Sequence, residues 1–230
     1  MLFLEEDEDL EILPFADRAE AGLMLAGKLA AYSGRHDVIV LGLPRGGVPV
    51  AVAVASALKL PFDVFVVTKL GTLWQQELAM GALAEGGVQV LDLSLAKLLA
   101  ISEPEIQEVA AAGCKELESH VISYRGGRPP LDLKGRTVIL VDDGIATGCS
   151  ILAAIVATRR KGAARVVVAV PVAPAAGCSA IQMEADEFVS VEQPEMFLSV
   201  SQWYSDFAQV SADEVQRLLQ KAETSVPRAA

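Results

Sequence analysis

Residues 138–150, VILVDDGIATGCS, carry the densest chemical pattern in the chain. Four apolar residues lead into two adjacent carboxylates, Asp142 and Asp143, and a run of small residues follows. A loop of Gly144, Ala146, Thr147 and Gly148 lets backbone N–H groups close on an anion without side-chain interference. A helix starting just beyond it adds roughly half a positive charge at its N-terminus. Two neighbouring carboxylates are poor partners for phosphate but good ones for sugar hydroxyls and hydrated Mg2+. The ligand these residues suit carries a monophosphate at one end and a diol near a metal at the other.

A second anion-binding pattern lies upstream, in GLPRGGVPVA at 42–51. Gly46 and Gly47 permit close backbone approach, and Arg45 can fork onto phosphate oxygens. A third stretch, TKLGTLWQQELAMGALAEGG at 68–87, is rich in glycine and holds Lys69, Trp74 and Glu77. Its composition reads as a mobile flap over 69–88.

Other chemistries lack the residues they need. A Cys, not a Lys, follows Gly148, so the loop is not a P-loop, and no G-x-G-x-x-G fingerprint occurs. His36 and His120 are the only histidines, too few for a His-based metal site or an obvious Ser-His-Asp triad. Cys114, Cys149 and Cys178 are far apart, which argues against zinc and against a disulfide framework. Cys149 at a helix start reads as a small side chain fitting beside phosphate. The net charge is −11, partly from the run Glu5–Asp9, and that sign opposes nucleic acid and anionic lipid. No segment reads as a signal peptide or membrane span, because prolines, glycines and polar residues break the uncharged stretch 166–183. These features point to a reducing cytoplasm.

The elements that must position these groups follow from hydrophobic patterning. Short Val-rich runs at 38–43, 62–67, 138–141, 166–170 and 188–191 suit strands buried on both faces. Helical periodicity covers 18–32, 48–58, 103–124 and 150–161. Ser102 with Glu105 forms a capping box for the third of these, and Ser211 with Glu214 starts a last helix over 212–224. Strands separated by helices predict an α/β fold, a Rossmann-like, mostly parallel sheet with helices on both faces. The 230 residues read as an acidic arm (1–14) and one domain (15–230).

The 138–150 stretch resembles the signature of type I phosphoribosyltransferases, which bind 5-phosphoribosyl-1-pyrophosphate (PRPP). The resemblance extends from about Phe15 to Leu219 and is nearest to a bacterial subgroup of that family. It implies that Asp142 and Asp143 hold the ribose hydroxyls, directly or through water on Mg2+. Ala146, Thr147, Gly148, Cys149 and Ser150 would cradle the 5′-phosphate, with Gly144 and Ile145 also among the PRPP-binding residues. Arg45, Gly46 and Gly47 resemble the family's pyrophosphate loop, where a non-proline cis peptide is often found. Lys69 would add charge against pyrophosphate, although Thr68 stands where that subgroup leads us to expect Arg. A small C-terminal hood at about 192–210, with Trp203, Tyr204 and Phe207, would cover the acceptor, its aromatics either stacking on a base or packing.

The implied activity is Mg2+-dependent transfer of a phosphoribosyl group from PRPP to a nitrogen acceptor, with a homodimer expected. Arg45 and Lys69 would stabilise the leaving pyrophosphate. Ala146 occupies the position where the 6-oxopurine branch carries an Asp, so the expectation is adenine or another acceptor outside that branch. Glu77 would then be the flap carboxylate acting as acid or base, with Glu85 as its rival. The alternatives are a non-catalytic PRPP or nucleotide sensor on the same fold and, with less support, a generic sugar-phosphate binder.

Overall fold

The computed structural model describes residues 15–72, 79–126 and 130–225. The arm at 1–14 lies outside them, as do Trp74 and Glu77 within 73–78.

Five strands form one parallel sheet: β1 (Val38–Gly42), β2 (Phe62–Val64), β6 (Thr137–Val141), β7 (Arg165–Val172) and β8 (Glu187–Glu192). Their order is β2-β1-β6-β7-β8, with β1 and β6 paired in register from Val38↔Thr137 to Gly42↔Val141. Both central strands are buried at every position, which is why they read as continuous apolar runs instead of alternating ones.

Alternation still decides which face each side chain meets. Val38, Val40, Ile139 and Val167 pack against α1 (Arg18–Lys28) and α2 (Gly47–Leu58) through Leu25, Ala26, Val50 and Val54. Ile39, Leu41, Leu140 and Val168 face the other way, onto Ile151, Ala154 and Ile155 of α5 (Cys149–Arg160). With helices on both faces, each strand-to-helix loop falls at the same sheet edge, where ligands of open α/β sheets bind.

The region read as a flap is mostly ordered strand in its described part. A separate antiparallel sheet contains β3 (Val67–Gly71), β4 (Ala79–Ala84) and β5 (Val88–Leu91) in that order. Alanine and glycine dominate β4, and they carry little strand signal. The sheet nonetheless forms because α4 (Glu103–Arg125) and α5 cover it. On α4, Gly113 lies so near Leu70 and Leu83 that a Cβ would meet both side chains. The capping box Ser102–Glu105 starts α4 as its spacing predicts. Two short helices, α3 (Leu93–Leu98) and α6 (Ser179–Glu184), the terminal α7 (Ala212–Ser225) and 3-10 turns at Ala30–Tyr32 and Val200–Trp203 are the other elements among the described residues. Among the described residues, no helix is long and apolar enough to cross a membrane.

The two ends of the domain meet. Phe15 bridges Tyr204 as a parallel pair, with Phe15 N–H donating to Trp203 O at 2.9 Å and Ser205 N–H donating to Phe15 O at 2.8 Å. Phe15, Ala21, Val172, Trp203 and Tyr204 form a small apolar cluster beneath this joint.

Candidate active site

The ends of β1 and β6 lie side by side, so the loops that follow them converge. Gly46 and Gly47 stand against Asp143 and Asp142. A Cβ on Gly46 would overlap the Asp143 carboxylate, and one on Gly47 would lie 2.6 Å from Val141 O and 2.7 Å from Asp142 Cα. Glycine is required here by space, since the φ of Gly46 is an ordinary −63°. The Pro44–Arg45 peptide is cis, as the resemblance leads one to expect. Gly148 serves a different need: it caps α5 at φ 78°, a left-handed conformation that side chains disfavour.

The carboxylate pair sits in a demanding environment. Asp142 Oδ1 accepts from the Asp143 N–H at 2.9 Å. Burial, reinforced by the charge of Asp143, holds Asp142 well above the ordinary carboxylate range. Burial also raises Asp143, against the opposing pull of the Arg18 and Lys69 charges. Arg18 Nε donates to Asp143 Oδ2 at 2.9 Å, and the two side chains are 11% and 15% exposed. Tyr204 OH donates to the Asp143 carbonyl at 2.6 Å. Its own proton is held more tightly than usual by burial and by the nearby carboxylates.

These groups open onto a cleft of about 1110 Å3. Arg45, Gly46, Lys69, Asp142, Asp143 and Gly144 line it, and so do Ile145, Ala146, Thr147, Gly148 and Ser150. Two predicted residues are placed differently. The Cys149 side chain is buried in the core cluster with Ile145 and Ile151, away from the cleft wall, because it sits on the inner face of α5. Gly47 wedges behind Asp142 and also does not line the cleft. Glu85, the rival to Glu77, is buried in the β4–β5 turn and accepts from the Val66 N–H at 2.9 Å, outside the cleft wall. Glu77 lies outside the described residues.

Sequence reasoning missed several lining groups. Arg18 is 125 positions from its carboxylate partner, and no local pattern links them. Glu108, Glu116 and His120 reach the cleft from α4, where His120 stacks on Tyr124 at 5.5 Å. Thr68 is buried beside the cleft, and its hydroxyl has no hydrogen-bond partner among the described residues. Of the hood aromatics, Trp203 and Tyr204 pack against Phe15, whereas Phe207 lines the cleft.

The donor set fits Mg2+ in one way only. Among the described residues, no group of three His, Cys, Asp or Glu side chains gathers to hold a metal. Mg2+ commonly takes one or two carboxylates and completes its octahedron with water and substrate oxygens. Asp142 and Asp143 could supply the protein's share, with Asp143 Oδ2 already engaged by Arg18.

Residues 17–208 match the phosphoribosyl transferase domain family. The chain belongs to the phosphoribosyltransferase family. Two Mycobacterium tuberculosis proteins, from strains CDC 1551 and H37Rv, carry names that propose a phosphoribosyl transferase. Each is 44% identical over 208 residues, which is 90% of this chain and 47% of theirs. The chain therefore spans about half the length of these curated relatives. The crystal structure of TT1426 from Thermus thermophilus is 39% identical, with a TM-score of 0.75. The similarity covers 93% of this chain and 100% of that one. A purine phosphoribosyltransferase from Pyrococcus horikoshii is more distant, at 18% identity and a TM-score of 0.45, over 84% of this chain and 93% of that one. The parallel sheet with helices on both faces is the type I phosphoribosyltransferase fold.

Proposed function

We propose that the cleft binds PRPP and transfers its 5-phosphoribosyl group to a nitrogen acceptor, a nucleobase or related heterocycle. The observation that carries this reading is the interlock of Gly46 and Gly47 with Asp143 and Asp142. One carboxylate pair is shared between two loops suited to anions, matching a ligand with phosphates on both sides of a diol.

In this reading the 144–150 loop takes the 5′-phosphate on its backbone N–H groups, with the Thr147 and Ser150 hydroxyls as added donors. Asp142 and Asp143 take the ribose hydroxyls and would hold Mg2+ jointly with the substrate. The metal, when bound, neutralises charge developing on the pyrophosphate. Arg45, the Gly46 N–H and Lys69 stabilise the same leaving group. The bond from the anomeric carbon to the pyrophosphate oxygen breaks, a bond to the acceptor nitrogen forms, and the acceptor's proton passes to a base. Glu77 is the carboxylate proposed for that proton, and Ala146 leaves the phosphate loop without one. The free thiols Cys114, Cys149 and Cys178 support a reducing, cytoplasmic setting.

The test is pyrophosphate release from PRPP and Mg2+ with a panel of nucleobases. Release with at least one base supports the transferase. Saturable PRPP binding without release for any base would favour the sensor reading instead.

A further inference from the structure

Arg18 opens α1, yet its guanidinium is fixed from three sides within the cleft. Nε donates to Asp143 Oδ2 at 2.9 Å, and Nη1 donates to the Ala208 carbonyl at 2.8 Å. One face lies over the Phe207 ring, with Cζ at 3.8 Å from the centroid. Nη2 makes no hydrogen bond among the described residues, and Arg18 lines the cleft. A guanidinium offers N–H donors only, stays charged, and loses little freedom when held in a plane. The cleft thus presents one pre-oriented, donor-only cationic edge between the diol carboxylate and the 204–208 segment.

We infer that Arg18 selects the acceptor, taking a planar heterocycle that presents a carbonyl oxygen or an unprotonated ring nitrogen and turning away a cationic ring. The inference rests on the transferase reading for where the ribose sits. If Asp142 and Asp143 hold the ribose hydroxyls, the anomeric carbon is one bond from a hydroxyl-bearing carbon. A base attached there falls beside Asp143, where Nη2 can donate to it. A pyridinium in that place meets a fixed like charge, whereas a neutral oxo- or aza-heterocycle gains a charge-assisted hydrogen bond.

Equilibrium binding tests this without turnover. Calorimetry measures Kd for ribose 5-phosphate, AMP, UMP and nicotinamide mononucleotide with the wild-type chain, Arg18→Met and Arg18→Lys. The ratio of the ribose 5-phosphate Kd to the nucleotide Kd isolates the base and cancels changes in the anion site. In the wild type, at least one of AMP and UMP is expected to show a ratio of about tenfold or more. That ratio falls to about one in Arg18→Met and to an intermediate value in Arg18→Lys, which keeps the charge beside Asp143 but loses the planar fork. Nicotinamide mononucleotide is expected to bind the wild type no more tightly than ribose 5-phosphate does. Equal ratios in all three proteins, or a wild-type preference for nicotinamide mononucleotide over both other nucleotides, would overturn the role of Arg18. Failure of the wild type to bind ribose 5-phosphate at all would instead overturn the reading of the anion site, and this inference with it.

Discussion

Gly46 and Asp143 are interlocked, for the carboxylate occupies the space where any β-carbon on residue 46 would stand. The loop after β1 and the loop after β6 therefore share one wall, and neither can take a larger residue there without moving the other. A Cβ at this point meets a carboxylate that is itself tied to Arg18, so relief requires breaking that ion pair.

Gly46→Ala is accordingly expected to displace Asp143 and to weaken ribose 5-phosphate binding at least about tenfold, or about 1.4 kcal/mol. Far-UV circular dichroism should stay unchanged, because the residue lies at a strand–helix junction and not in the core. Unaltered affinity in a folded Gly46→Ala chain would show that the carboxylate position does not matter for binding.

The two loops are legible in the sequence because each follows a short apolar run that ends in small residues, a pattern that sets a buried strand against a helix start. The capping box at Ser102 and the helix periods succeed for the same local reason. Arg18 is not legible. It reaches Asp143 because α1 packs on α2 and the sheet while Phe15 pairs with Tyr204, tertiary contacts that leave no periodic trace. Residues 79–84, AMGALA, look like a loop by composition, yet they pair with β3 and β5 and lie beneath α4 and α5. Their strand character comes from tertiary burial, which propensity does not encode. Its place in the motif puts Cys149 beside phosphate, but the first turn of α5 aims it into the core.

Tyr204→Phe should loosen the 204–208 segment. It removes the 2.6 Å hydrogen bond to the Asp143 carbonyl at a cost of about 1 kcal/mol. In a chain of this size that corresponds to a fall of about 2–4 °C in Tm. Differential scanning calorimetry measures it, and an unchanged Tm would mean that the bond contributes nothing net.

Glu85 provides a pH-dependent check on the packing of the antiparallel sheet. Burial raises its carboxyl above the ordinary value of 4.5, with the Val66 N–H and the Arg125 charge opposing. A raised acid favours the protonated fold, so its stability contribution is fully present below the unfolded value and is lost as pH climbs through the folded one. Glu85→Gln keeps an oxygen for Val66 and carries no charge. Its Tm advantage over the wild type should therefore grow as pH rises from about 4 toward 7. A difference that is flat or shrinks over that range would place Glu85 in a better-solvated setting than the structure gives it.

Everything proposed for the cleft depends on Asp142 and Asp143 holding the diol of a phosphoribosyl ligand. Isothermal titration of PRPP with Mg2+ into the wild-type chain and into the double variant Asp142→Asn, Asp143→Asn addresses this without intermediaries. Amide groups preserve the shape of the site but remove its charge. Saturable binding is expected for the wild type, with a loss of at least about 100-fold, or about 2.7 kcal/mol, in the folded double variant. Equal PRPP affinity in the two proteins would refute the assignment of the carboxylate pair.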